Sequence, residues 1–175
     1  MQLPSPEIFR YCPNCKSEKI TLIEGARFIC PHCQFTYFHN TASAVAAVIL
    51  VQDEILLTRR ANEPGKGKLD LPGGFVDHDE GLEQALTREI YEELSLDIEN
   101  WHYFASFPNQ YLYKNVNYHT CDTIFVTTLP QKPRLSIQYS EIAQAQFYSL
   151  ASLTIDEIAF DSVRSAIKKL LTRKK

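Results

Sequence analysis

The chain has no long apolar run. The longest, Ala42–Val51, has ten residues and includes Ser43, about half of what a membrane span needs. The opening MQLPSPE shows no basic stretch followed by an apolar one, so no secretory signal is read there. A cytoplasmic, reducing location is therefore expected, with no membrane partner. Internal repeats and low-complexity tracts are absent too, which removes repeat and fibrous architectures. Charge of one sign is not in excess: 18 Lys and Arg against 21 Asp and Glu leave a net charge of −3. That argues against wholesale binding of nucleic acid. Cysteine is scarce beyond residue 33, where Cys121 is the one left of five, so a disulfide scaffold is not expected.

What is present is ordinary in bulk and uneven in detail. The 175 residues are 45% hydrophobic and 22% charged, enough for one main domain with a small addition and a core that needs no disulfides. Residues 77–99 hold nine acids against Arg88, a local sum of −8, whereas residues 59–68 carry Arg59, Arg60, Lys66 and Lys68 against Glu63. Six bases and no acid lie in the last twelve residues. Three parts are expected: a leader over 1–10, a cysteine-rich module over 11–39, and one α/β domain over 40–175.

In the module, Cys12-Pro-Asn-Cys15 and Cys30-Pro-His-Cys33 are two C-x2-C pairs fourteen residues apart. Each short turn aims two thiolates at one point, and two such turns complete a tetrahedron for a structural Zn²⁺. Disulfides or four free thiols are the alternatives, and a reducing compartment disfavours the first. His32 and His39 are read as surface residues. Cys121, inside a strand pattern, is expected to be a small core residue. Charges between residues 10 and 33 sum to +2, too little to favour nucleic acid. The module is expected to serve folding, dimerisation or the shape of a substrate site.

In the main part, Ala44–Val51 and Ile55–Arg59 read as strands joined by the Gln52-Asp53-Glu54 turn, and 64–68 as a loop. Leu82, Leu86, Ile90 and Leu94 recur every four residues with Ala85 beside them, which predicts an amphipathic helix over 81–94. Strands are expected at Trp101–Phe107, Thr120–Thr128 and Gln146–Tyr148. A C-terminal helix is expected with Asp161 or Ser162 as its N-cap. Strands with two helices predict a sheet covered on both faces.

Glu89, Glu92 and Glu93, spaced i, i+3 and i+4, share one face of the predicted helix, away from its apolar stripe. Like charges so placed repel by roughly 0.2–0.5 kcal/mol per pair. A hard divalent cation offsets that repulsion, because Mg²⁺ takes carboxylates together with phosphate oxygens. Leu71-Pro-Gly-Gly74, just before the helix, lets the backbone turn and bring a carbonyl close. A solvated acidic face with an Arg88–Glu92 pair is the bland alternative, but one arginine does not balance the acids around it.

The run from Gly74 to Leu96 resembles the Nudix box, G-x5-E-x7-R-E-U-x-E-E-x-G-U with U a bulky aliphatic residue. Gly74, Glu80, Arg88, Glu89, Ile90, Glu92, Glu93 and Leu96 fall in place, and Ser95 stands where the family has glycine. The segment Leu56–Val76 and the stretch Tyr139–Ser149 are also similar to Nudix hydrolases, so the likeness covers about residues 42–171. A zinc ribbon before such a domain is similar to the NADH pyrophosphatase subgroup. The resemblance implies an α/β/α sandwich with a mixed sheet. It also implies metal-dependent hydrolysis of a nucleoside diphosphate linked to another moiety, releasing a nucleoside monophosphate.

By position, Glu89, Glu92, Glu93 and the Gly74 carbonyl would hold Mg²⁺ or Mn²⁺, and Arg88 would pair with Glu80. Glu93 and Glu141 are the two candidates for proton acceptor. Ser95 implies a left-handed helix end at a cost of about 1 kcal/mol. Arg59, Arg60, Lys66 and Lys68 are candidates for phosphate contact, and Phe107, Tyr111, Tyr113 and Tyr118 for stacking on a base. The candidate substrate set is Arg59, Arg60, Phe75, Phe107 and Tyr113. The subgroup's S-Q-P-W-P-F-P-x-S motif is echoed only by Ser106 and Pro108, so NADH, ADP-ribose and nucleotide sugars stay open as substrates. A homodimer would be similar to many relatives. A non-catalytic nucleotide sensor is the rival reading; such regulators carry a DNA-binding domain after the Nudix fold and degraded box glutamates, neither of which is read here. An adaptor acting through the ribbon is the third.

Overall fold

The structure is a computed structural model that describes residues 10–23, 27–114 and 116–173. The expected leader, apart from Arg10, lies outside the described residues. The chain forms two units: residues up to 41 with 110–119, and residues 42–109 with 120–175.

In the first unit, β1 (Thr21–Ile23), β2 (Arg27–Ile29) and β3 (Thr36–Phe38) form an antiparallel sheet in that order. Its core is small. Phe28 is buried, stacked on Tyr37 at 5.4 Å between ring centroids and tilted against Phe35 at 6.2 Å. So small an apolar core needs a second source of stability, and the four cysteines flank it in sequence.

The second unit is a three-layer sandwich. Its strands are β4 (Ala42–Val51), β5 (Glu54–Arg60), β6 (Leu69–Asp70), β7 (Gly73–Phe75), β8 (His102–Tyr113), β9 (Val116–Thr128) and β10 (Ile142–Ser149), the far ends of β8 and β9 belonging to the first unit. Its helices are α1 (Leu82–Leu94) and α2 (Asp161–Arg173). The sheet order is β10-β5-β4-β9-β8, with β6 on β5 and β7 on β4. The β4–β9 pair is parallel, and the other pairs with described register are antiparallel.

Alternation along the strands sorts the core into two layers. Val45, Ala47 and Ile49 of β4, Leu56 of β5 and Phe125 of β9 pack with Ala85, Leu86, Ile90 and Leu94 of α1. Val48 and Leu50 of β4, Leu57 of β5 and Ile124 of β9 pack with Val163, Ala166, Ile167 and Leu170 of α2. The predicted doubly covered sheet is what forms. Among the described residues no helix is long and apolar enough to cross a membrane.

Several elements differ from the sequence expectation. β8 runs six residues past Phe107, through Pro108. It lies at the end of the sheet order, where a residue without an N–H is tolerated. β10 begins at Ile142 because pairing with β5 carries the exposed Gln144 and Gln146 into the sheet. Neither Asp161 nor Ser162 caps α2: Arg164 N–H donates to the Phe160 carbonyl, so the helix starts at Asp161. Cys121 is exposed rather than in the core. Its neighbours Thr120 and Asp122 take the buried face of β9, and alternation turns the cysteine outward.

The fold also buries polar groups that the sequence did not announce. Asp122 is buried and accepts from Thr120 Oγ1 at 2.6 Å and Ser162 Oγ at 2.5 Å. Asp70, also buried, pairs with Arg60 at 2.9 Å and accepts from the Leu71 N–H at 2.9 Å. Burial pushes the Asp70 carboxyl up to about 6 despite Arg60, with Asp122 adding to the shift.

Ser162→Ala should leave Asp122 short of a donor and cost about 1–3 kcal/mol in urea denaturation. Asp70 generates a pH signature. Its folded value lies above the ordinary carboxylate value of about 3.9, so protonation favours the folded state. The stability of the wild type relative to Asp70→Asn should therefore rise as pH falls from about 6 towards about 4, read as the difference in melting temperature between the two proteins.

Candidate functional site

The acidic cluster is built on α1. Gly81 precedes the helix, and its N–H is accepted by Gln84 Oε1 at 2.8 Å. The apolar stripe turns to the sheet and leaves Arg88, Glu89 and Glu92 on the flank, while Glu93 sits beside the stripe at 8% exposure. The helix ends at Ser95 with φ 54° and ψ 38°, its N–H donating to the Tyr91 carbonyl. The left-handed end is thus kept although the residue is serine.

Arg88 is the hub of the site. Its Nε donates to Glu80 Oε1 at 2.7 Å and its Nη2 to Glu80 Oε2 at 2.9 Å, a bidentate pair. Nη1 reaches Glu89 at 2.9 Å and Glu92 at 3.2 Å, and Nη2 also donates to the Phe75 carbonyl at 3.2 Å. These carboxylates, Glu80 first, hold the guanidinium firmly charged, and Arg88 in turn lowers Glu80 below its ordinary value. Glu80 also accepts from the Asp77 N–H at 3.1 Å, which ties the loop before the helix to its middle.

The two glycines of the Leu71–Gly74 segment differ in what a side chain would meet, backbone at Gly73 and the Glu89 carboxylate at Gly74. Gly73 has φ +142°, and a Cβ there would lie 2.2 Å from the Val45 carbonyl oxygen. A Cβ on Gly74 would lie 2.5 Å from the Glu89 carboxylate. The Gly73 N–H donates to Glu93 Oε2 at 3.0 Å. Burial raises Glu89 above its ordinary value against the pull of Arg88, and Glu92 and Glu141 add to the rise. Burial raises Glu93 further against the Gly73 N–H, with Glu89, Asp70 and Glu141 adding.

Glu141 therefore acts on both of these glutamates from outside the helix. It is carried by the segment before β10. There Leu135 and Ile137 pack against the α1 layer, and the N–H groups of Ser136 and Gln138 donate to the carbonyls of Leu94 and Glu93. The arrangement is a group of hard oxygen donors on one side of a helix, with a single arginine as partner.

The cysteines form a second cluster. The two C-x2-C turns are alike: Lys16 N–H donates to Cys12 O and Gln34 N–H to Cys30 O, both at 2.8 Å, and Lys16 and Gln34 both have positive φ. The four sulfurs all lie within 4.8 Å of one another, with Cys12–Cys33 and Cys15–Cys30 at 3.6 Å. A tetrahedral Zn–S distance of about 2.3 Å implies sulfurs about 3.8 Å apart, whereas a disulfide would bring a pair to about 2 Å. Among the described residues, this is the one group whose ligand atoms converge so closely. The glutamate oxygens are instead drawn apart onto Arg88 and the Gly73 N–H. His32 and His39 are not part of the sulfur group. The thiols do not titrate alike. The Asn14 amide and the Phe35 N–H lower Cys33 to about 6. At Cys15 a hydrogen bond from Ser17 is outweighed by burial and the other thiols, which push it up to about 12.

The remaining sequence candidates are dispersed. Arg59 donates to the Gly67 carbonyl at 2.5 Å. Arg60 donates to Pro64 O at 2.7 Å, pairs with Asp70 and lies over the Phe160 ring. Lys66 and Lys68 are exposed. Phe75 is exposed beside the glycines. Phe107 packs into the layer under α2, on the face of the sheet away from α1. Tyr111, Tyr113 and Tyr118 belong to the first unit. Sequence reasoning missed Asp70, whose signal was an acid between Leu69 and Leu71.

Residues 40–170 match the NUDIX domain profile. The NAD-capped RNA hydrolase NudC of Photorhabdus laumondii subsp. laumondii is 33% identical over 99 residues, covering 57% of this chain and 38% of that protein. The mitochondrial NAD(P)H pyrophosphatase NUDT13 of Mus musculus is 29% identical over 149 residues, covering 83% and 40%. The chain thus spans about two-fifths of the length of the curated relatives it matches. Among solved structures, a NUDIX hydrolase from Nitrosomonas europaea aligns with a TM-score of 0.71 at 22% identity, covering 95% of this chain and 92% of that one. The NUDIX domain of Shewanella oneidensis NrtR, complexed with ADP ribose, aligns at 0.64 and 23%, covering 79% and 91%. These two likenesses speak for the fold, and the sandwich described above is the α/β Nudix sandwich. With the profile spanning about three quarters of the chain and the box residues gathered on one helix, the chain belongs to the Nudix family.

Proposed function

We propose that the chain is a metal-dependent pyrophosphohydrolase. It would cleave the pyrophosphate bond of a nucleoside diphosphate linked to another moiety, such as NADH or ADP-ribose, and release a nucleoside monophosphate. The observation that carries this is electrostatic. Burial, with Glu141 adding, raises Glu89 and Glu93; Arg88 pairs with Glu89 and Glu92, whereas Glu93 meets the Gly73 N–H. A cluster of oxygen donors held in that state suits Mg²⁺ or Mn²⁺.

Glu89, Glu92, Glu93 and the Gly74 carbonyl would hold the cation. When bound, it neutralises phosphate charge and acidifies a water. Arg88, fixed by Glu80, orients Glu89 and Glu92. Glu93 or Glu141 accepts the proton of the attacking water. Glu141 is exposed and Glu93 is not, which supports Glu141 as the group with access to solvent. On the substrate side, Arg59, Lys66, Lys68 and Phe75 are the candidates nearest the chemistry in sequence. Arg60 already directs its donors to Asp70 and Pro64.

The relatives named as acting on NAD-capped RNA and on NAD(P)H support dinucleotides as the first compounds to assay. Four cysteine sulfurs at tetrahedral spacing support a structural Zn²⁺, and free thiols of this kind suit the cytoplasmic, reducing location we propose. We also propose a ribbon over 11–39, a catalytic domain over 40–175, and a homodimer, the last to be read by light scattering.

Glu92→Gln and Glu93→Gln should each lower Mg²⁺-dependent release of nucleoside monophosphate by at least about 100-fold, with melting temperatures near wild type. Full turnover in both would overturn the metal assignment, and nucleotide binding without turnover in the wild type would favour the sensor. Elemental analysis should give about one zinc per chain. Its removal by a chelator should unfold the first unit, read as loss of protease resistance before residue 41.

A further inference from the structure

We propose that Tyr139 is the ring on which the base of the substrate stacks, an inference that rests on the pyrophosphohydrolase reading above. An exposed tyrosine alone is ordinary surface. Tyr139 is set apart by what holds it and by where it stands. At 77% it is the most exposed of the large hydrophobic residues in the described chain.

The residues on either side of Tyr139 are held by hydrogen bonds. Ile137, two residues earlier, is seated in the α1 layer, and the Gln138 N–H donates to the Glu93 carbonyl at 3.0 Å. The Gln138 carbonyl accepts from both Glu141 and Ile142 N–H, which closes the turn around Tyr139. On the far side the Asn62 amide donates to Ser140 O at 2.6 Å, and the Ala61 N–H donates to Glu141 O at 2.9 Å.

Tyr139 therefore lies in a turn held on both sides, with its side chain exposed. The residue before it is bonded to the backbone of Glu93, and the carboxylate two residues on acts on Glu89 and Glu93. A tyrosine on a rigid mount offers a large flat contact at low entropic cost. The proposed substrate carries a flat base at one end and its phosphates at the acids. No acid is needed at position 139 for the chemistry, and no core lies there to cover the ring. Stacking is tolerant of which base it meets, so Tyr139 would favour nucleotides as a class over phosphate esters without a base.

Because the side chain is exposed, Tyr139→Ala should fold as the wild type does, and Tyr139→Phe keeps the ring. For NADH, Tyr139→Ala should raise KM roughly tenfold with kcat within about twofold, and Tyr139→Phe should match wild type. AMP, as a competing product, should bind Tyr139→Ala roughly tenfold more weakly, while ribose 5-phosphate, which lacks the base, should bind both proteins equally. Equal AMP binding by wild type and Tyr139→Ala overturns the proposal. So does an equal loss for AMP and ribose 5-phosphate, which would place the effect on the turn rather than on the base. A wild type that binds AMP through Tyr139 but turns over no nucleotide overturns the hydrolase reading and leaves the stacking intact.

Discussion

Like charge is concentrated on α1, and the site depends on how that charge is restrained. Glu89, Glu92 and Glu93 share the helix with a single base, Arg88, and Glu141 approaches from the segment before β10. Arg88 divides its donors between Glu80, Glu89, Glu92 and the Phe75 carbonyl. One guanidinium fixes three carboxylates without neutralising them. The excess negative charge is part of the construction, because the fold supplies burial as well as repulsion.

Two close approaches shape that construction. Gly73 lies against β4 so closely that no side chain fits, and a side chain on Gly74 would displace the Glu89 carboxylate. The segment before β10 closes the other side, using Leu135 and Ile137 as anchors. The acids are thus held between a glycine turn and an apolar strap, with their oxygens on Arg88 and the Gly73 N–H.

Much of this was legible in the sequence because its signals are local. The four-residue recurrence of Leu82, Leu86, Ile90 and Leu94 defined α1, and the spacing of Cys12, Cys15, Cys30 and Cys33 defined the sulfur cluster. The path of β8 through Pro108 was hidden, since a proline reads as a stop unless the strand is known to lie at the sheet's edge. Ser162 resembled a cap because its real partner, Asp122, is forty residues away in the chain. Cys121 resembled core because alternation alone does not tell which face is covered. Arg60 and Asp70 lie ten residues apart, and their pairing follows from the β5–β6 ladder rather than from any periodicity.

The end of α1 has a consequence for binding. The last turn of a helix carries partial negative charge, which basic residues ordinarily offset. Here the last turn has no base, and Glu92 and Glu93 stand in it. The N–H groups of Ser136 and Gln138 quench two of its carbonyls, but the macrodipole still opposes both side chains, at about 0.3–1 kcal/mol each. A cation seated between them would reverse the sign of that interaction. The helix that presents the ligands would then attract the ion through its backbone as well as through its carboxylates.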